Sequence, residues 1–109
     1  MELRKVLIMK KVINGKMYNT QTAECYGEYQ YSNCGDFQYV YEALYRKKTG
    51  EMFLYGTGGP ASKYREKVGS STWTGGTQII PLTVDEAKEW AEKYIDGGTY
   101  VELFGEVEE

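Results

Sequence analysis

The stretch FQYVYEALYRKKTGEMFLY, residues 37–55, decides how the rest of the chain is read. Two runs rich in aromatic and apolar residues flank Lys47-Lys48-Thr49-Gly50, and Gly50 is free to take the positive φ that closes a four-residue hairpin loop. Setting Arg46 opposite Glu51 pairs Tyr45 with Met52, Leu44 with Phe53, Ala43 with Leu54 and Glu42 with Tyr55. One face then carries Phe37, Tyr39, Tyr41, Ala43, Tyr45, Met52 and Leu54 and is apolar throughout. The other carries Gln38, Val40, Glu42, Leu44, Arg46, Glu51, Phe53 and Tyr55 and is mixed. A slip of one residue would set Arg46 against Met52 and scramble both faces, so the ion-paired register is expected. A lone hairpin is marginal in water, so another element must cover the apolar face.

That cover is signposted further along. Thr83 and Glu86 form a capping box, Leu82 can staple onto Ala87, and Val84, Ala87, Trp90, Ala91 and Tyr94 recur at helical spacing. Asp85, Glu86, Glu89, Glu92 and Asp96 lie off that stripe, and Asp96-Gly97-Gly98 ends the helix. A second box, Thr99 with Glu102, opens a short turn that stops at Gly105, with Leu103 and Phe104 free to dock. Residues 106–109 read as a frayed acidic tail.

Upstream, Val12-Ile13-Asn14-Gly15-Lys16-Met17-Tyr18 is a hairpin, because Asn-Gly suits the two positive-φ positions of a type I′ turn. Thr20 to Ala23 makes a helical turn or bend. Cys25 to Tyr31 alternates as a strand, with Gly27 a candidate bulge, and Ser32 to Asp36 is a loop. Residues 1–9 are either an extension ending in an edge strand, Lys5 to Met9, or a product of translation that properly starts at Met9. In the second case Arg4-Lys5-Val6 is a purine-rich ribosome-binding site read as protein.

After the central hairpin, Gly56-Thr57-Gly58-Gly59-Pro60 lacks the lysine and hydroxyl spacing of a phosphate-binding loop. It reads as a tight turn into a helix from Pro60 to Val68 that buries Ala61, Tyr64 and Val68 and ends at Gly69. Thr72 to Ile80 then forms a further hairpin about Gly75-Gly76, with Pro81 stopping the strand. Trp73 is a sheet-face residue or an exposed anchor, with a core position expected. The fold class that emerges is α+β, in one domain spanning 1–109. A small antiparallel sheet of four or five strands, built from hairpins, is covered by one main C-terminal helix, with short helical turns besides.

Function is less legible. The chain has 109 residues, no histidine and only Cys25 and Cys34, at a spacing that fits neither a zinc site nor a redox pair. Those thiols are expected free. Without histidine the commonest general base and metal ligand are missing, and no carboxylate pair or activated thiol takes their place, so an enzyme is not expected. No cofactor or metal is implied. No run suggests a membrane span or signal peptide, so the cytoplasm is the expected compartment.

The net charge of −3 divides unevenly: residues 1–84 hold 11 basic and 7 acidic side chains, and residues 85–109 hold 2 and 9. Two binding readings follow. An acidic helix face, Glu86, Glu89, Glu92 and Asp96, resembles a phosphate backbone in charge and would be steered to a basic cleft on a protein. Alternatively the lysines and arginines of the body, with tyrosines between them, would bind RNA or DNA directly. The 11 tyrosines suit half-buried sheet faces and also interfaces. Tyr29, Tyr31 and Trp73 are therefore further candidates for partner contact.

A resemblance narrows the choice. Residues 11–20 (KVINGKMYNT) through Ala23, Leu44-Tyr45-Arg46-Lys47, Phe53-Leu54-Tyr55-Gly56, Gly58-Gly59-Pro60 with Ser62-Lys63-Tyr64, Ile79-Ile80-Pro81-Leu82-Thr83 with Glu86-Ala87, and Phe104-Gly105-Glu106 look like a family of small proteins. That family belongs to plasmids and phages of Gram-positive bacteria, and it resembles type II-A anti-CRISPR inhibitors. The resemblance implies a partner, the type II CRISPR-Cas effector nuclease of the bacterial host. It also implies interference with guide-RNA or DNA binding. It supplies no site residues and no oligomeric state. The competing expectation is a small RNA- or DNA-binding accessory protein of a mobile element.

Overall fold

The computed structural model describes residues 9–109. Both readings of the N-terminal extension lie outside these residues, apart from Met9. Met9 is fastened to Thr20: its N–H donates to Thr20 Oγ1 at 2.9 Å and its carbonyl accepts from the Thr20 N–H at 3.0 Å. Strands β1 (Lys10–Ile13) and β2 (Lys16–Asn19) pair antiparallel about Asn14 and Gly15, whose φ values of 52° and 78° match the expected turn. The bend at 20–23 is closed by amides of Thr22 and Ala23 on the Asn19 carbonyl.

Strands β3 (Glu24–Tyr31), β4 (Val40–Arg46) and β5 (Met52–Gly58) follow, then the short β6 (Glu66–Lys67) and β7 (Trp73–Thr74), and β8 (Gly76–Leu82). The main sheet is antiparallel in the order β3-β4-β5-β8. In β3 the register shifts between Cys25 and Gly27, leaving Tyr26 as the extra residue of a bulge. Gly27 is needed there, because a Cβ would lie 2.3 Å from Ile95 Cγ2.

The central hairpin adopts the register that the sequence argued against. Arg46 faces Met52, Tyr45 faces Phe53, Leu44 faces Leu54, Ala43 faces Tyr55 and Glu42 faces Gly56. Lys47 and Glu51 close the ladder through the Lys47 N–H on the Glu51 carbonyl at 2.8 Å. Lys48, Thr49 and Gly50 form the loop, with Gly50 at φ 96° as anticipated. The Arg46–Glu51 pair does not form. Glu51 accepts from Lys16 Nζ at 2.8 Å and Lys47 Nζ at 3.5 Å, and Arg46 lies over the Tyr26 ring.

The reason is that both faces of this sheet are buried, so neither has to be the polar one. Ala43, Tyr45, Phe53, Tyr55 and Ile79 line one face, where Tyr18 of the β1–β2 hairpin packs edge-on against Phe53 with ring centroids 5.4 Å apart. Leu44, Met52 and Leu54 line the other, beneath helix α1 (Val84–Tyr94), which presents Ala87 and Trp90. The expected cover thus reaches its sheet, but over Leu44, Met52 and Leu54 rather than Tyr41, Ala43 and Tyr45.

Three further expectations fail, each for a local reason. Residues 60–68 form turns and β6 rather than a helix. Ser62 Oγ bonds back to the Gly59 carbonyl at 2.7 Å and the Tyr64 N–H donates to that hydroxyl, an alternative to helical bonding that serine favours. Of Ala61, Tyr64 and Val68, only Tyr64 is buried. Trp73 and Ile79 do not share a hairpin: β7 pairs with β6, and β8 pairs with β5. Pro81 does not stop β8 but lies inside it, which an edge strand tolerates because the missing N–H would face outward.

At the C-terminal end the capping box of α1 is present in both directions. Helix α2 (Gly97–Phe104) starts earlier than the expected Thr99–Glu102 box, with Asp96 in the N-cap position, and ends at Gly105 with φ 93°. Leu103 and Phe104 dock against the α1-side core as expected.

Candidate functional site

The carboxylates proposed from sequence, Glu86, Glu89, Glu92 and Asp96, are all exposed, but the structure does not make them one row. Glu86 is held at the helix start, where its Oε1 accepts from the Thr83 N–H at 2.9 Å. Asp96 follows Ile95, the extended residue that ends α1, and so belongs to the start of α2. The helical repeat instead aligns Asp85, Glu89 and Glu92, at i, i+4 and i+7, on the side away from buried Ala87, Trp90 and Ala91. Neighbours at that spacing stand about 5–6 Å apart between Cβ atoms. Asp85 is the member that sequence reasoning recognised as off-stripe but left out of the partner set.

The aromatic candidates separate. Tyr29 is half-buried on the α1 side, stacked on Tyr94 with centroids 4.1 Å apart, and Tyr94 in turn meets Trp90 edge-on at 5.0 Å. Its role is to fasten β3 to α1. Tyr31 lies at the end of β3 and is half exposed. Trp73 is not in the core: it is 44% exposed, with Arg65 Cζ 4.6 Å and Lys67 Nζ 5.8 Å from its ring centroid.

A cluster that sequence reasoning missed lies beneath α1. Glu42 is 1% exposed in the middle of β4. Its Oε1 accepts from Trp90 Nε1 at 2.9 Å, and its Oε2 accepts from the Tyr64 hydroxyl and from Lys63 Nζ at 2.7 Å. Burial pushes the carboxyl up, but the Lys63, Tyr64 and Trp90 donors outweigh it and hold the group below the usual carboxylate range. The same burial, aided by the bond to Glu42, pushes the Tyr64 phenol well above its ordinary value. Tyr64 fits because Gly56 has no side chain; a Cβ there would lie 2.1 Å from the phenol ring. The signal was present in the sequence: a glutamate flanked by YVY and ALY has nowhere polar to go, and a buried charge must be paired.

With its oxygens occupied by three donors, Glu42 ties helix, strand and turn together. Among the described residues no group of three histidine, cysteine, aspartate or glutamate side chains is placed to hold a metal ion. Cys25 and Cys34 are exposed and unbridged, as expected. Among the described residues no helix is long and apolar enough to cross a membrane. Two exposed features remain on the surface: an acidic helix row on α1, and a separate aromatic–basic finger at β6–β7. Compared with protein-family models, curated proteins and solved structures, the chain matches none.

Proposed function

We propose that this chain is a non-enzymatic inhibitor that binds a basic, nucleic-acid-holding cleft of a type II CRISPR-Cas effector nuclease and competes there with guide RNA or DNA. It would act in the cytoplasm of the bacterial host. The observation that carries this reading is the Asp85–Glu89–Glu92 row. Three carboxylates at regular spacing stand on a helix that is fastened to a four-stranded sheet through Trp90 and Glu42, so their geometry is set before a partner arrives. Preorganised negative charge of this kind speeds encounter with a basic surface and excludes acidic ones. The choice of nuclease rests on the resemblance of residues 10–106 to anti-CRISPR-like proteins of mobile elements.

The test is co-elution of the full chain with the nuclease in its guide-free and guide-loaded forms. Retention by the guide-free form, lost once guide is loaded, is the expected result. Failure to co-elute with either form overturns the reading, and progressive destruction of guide or nuclease by substoichiometric protein would move the chain into the enzyme class.

A further inference from the structure

Between β5 and β8 the chain leaves the sheet, and residues 65–74 are exposed without exception. The segment is nevertheless ordered as a two-stranded ribbon: Lys67 pairs with Trp73, Glu66 pairs with Thr74, and the Val68 N–H donates to the Thr72 carbonyl at 2.9 Å. Its root is fixed in the core by Tyr64, which is 2% exposed and bonded to Glu42. Trp73 on this ribbon is left 44% exposed.

Lys67 is directly opposite Trp73 and Arg65 is two residues along, so pleating puts all three on one face of the ribbon. The rest of the finger consists of Gly69, Ser70, Ser71 and Thr72, with Glu66 and Val68 out of phase with that face. An aromatic anchor for a protein pocket is normally ringed by apolar contacts that exclude water. Here two cations lie over the ring instead, Arg65 and Lys67.

We propose that the β6–β7 finger is a contact site for single-stranded nucleic acid, with a base stacking on Trp73 while Arg65 and Lys67 meet the flanking phosphates. Every base presents a π-face, so the contact is indifferent to sequence. Lys63 is left out of the phosphate set because Glu42 already holds it at 2.7 Å. The site is independent of the acidic row on α1 and stands whether or not the nuclease reading holds.

The experiment is anisotropy of fluorescently labelled oligothymidylate and oligouridylate titrated with the full chain across a salt series, with a labelled duplex and heparin as comparisons. Wild type is expected to bind single strands more weakly as salt rises. R65Q/K67Q should lower the log–log salt slope by roughly 1.4, since each single-strand phosphate neutralised contributes about 0.7. Trp73→Ala should weaken single-strand binding on the order of tenfold at unchanged slope. Trp73→Phe should restore most of that loss, and heparin binding should not respond to either tryptophan variant. Circular dichroism and melting confirm that each variant is folded. No single-strand binding at low salt, equal binding by all variants, or equal binding of duplex and single strand would overturn the proposal. So would a Trp73→Ala variant that loses co-elution with the nuclease while oligonucleotide binding is nil in wild type, which would make the finger a protein contact.

Discussion

Trp90 Nε1 donates to Glu42 Oε1 at 2.9 Å, joining two residues 48 positions apart and fixing α1 to the middle of β4. Both groups are buried: removing Glu42 strands the Trp90 indole N–H along with the Tyr64 and Lys63 donors, whereas removing Trp90 leaves Glu42 Oε2 still bonded to Tyr64 and Lys63. Glu42→Ala is expected to cost about 3–5 kcal/mol, as breaking a buried charged cluster does. Glu42→Gln retains an acceptor for the indole and should cost about 1–3 kcal/mol. Trp90→Phe tests the same bond from the other end. Urea denaturation followed by far-UV circular dichroism measures all three, and an alanine variant as stable as wild type would refute the structural role.

Stability should depend on pH through the same carboxyl. The folded-state pKa of Glu42 is depressed, so its contribution is present above the unfolded value of about 4.3 and is lost as pH falls through the folded value. The melting temperature should therefore drop on acidification below that range, and Glu42→Gln should show a shallower acid limb. At the other extreme, burial raises the phenols of Tyr64 and Tyr41, and that of Tyr39 to about 12. A raised tyrosine contributes stability below the unfolded value of about 10 that is lost as pH rises towards the folded one. Alkaline melting should fall from about pH 10 upward, less steeply in Tyr64→Phe.

Gly56 and Gly50 are both glycines of the central hairpin but for different reasons. Gly56→Ala drives a Cβ to 2.1 Å from the buried Tyr64 ring and should cost about 1–3 kcal/mol through overpacking. Gly50→Ala meets nothing within 4 Å and is penalised only by its φ of 96°, at about 1 kcal/mol. Chemical denaturation of the two variants should rank them in that order, with unchanged m-values.

The acidic row makes a prediction that separates activity from stability. D85N/E89Q/E92Q should slow association with the nuclease, most at low salt, and leave melting nearly unchanged because none of the three packs on the sheet. Glu86→Ala, by contrast, should alter inhibition little and lower stability by a few tenths to about 1 kcal/mol through loss of its bond to the Thr83 N–H. Inhibition assays at two salt concentrations, alongside melting, separate these outcomes.

The elements that sequence revealed are those set by short-range chemistry: the Asn14-Gly15 turn, the Gly27 bulge, the Thr83 capping box and the Gly105 stop. Register was lost because the two-face argument requires one wet face, and here both are covered: the β1–β2 hairpin lies over Ala43, Tyr45, Phe53 and Tyr55, and α1 over Leu44, Met52 and Leu54. The Pro60–Val68 helix is expected from Pro60 at its start, Gly69 at its end and the spacing of Ala61, Tyr64 and Val68, and Ser62 decides otherwise by bonding to Gly59. The acidic helix was visible from residue types, but α1 ends at Tyr94, before Asp96, and the helical repeat sets Asp85 in line with Glu89 and Glu92. The Glu42 cluster needed three segments brought together from distant parts of the chain, and only the isolated charge in an apolar strand hinted at it.

Gly58 and Gly76 face each other as the last rung between β5 and β8, so residues 59–75 depart from and return to the sheet at a single point. A segment closed in this way can lengthen with little thermodynamic penalty, since doubling a flexible loop costs only about 0.6 kcal/mol. The rungs from Thr57–Thr77 down to Met52–Leu82 are indifferent to what is spliced beyond Tyr64. Homologous chains should therefore vary most in length between Arg65 and Thr74 while keeping the glycines at 56, 58 and 76, and grafting a foreign ribbon there should yield a folded protein with altered contacts.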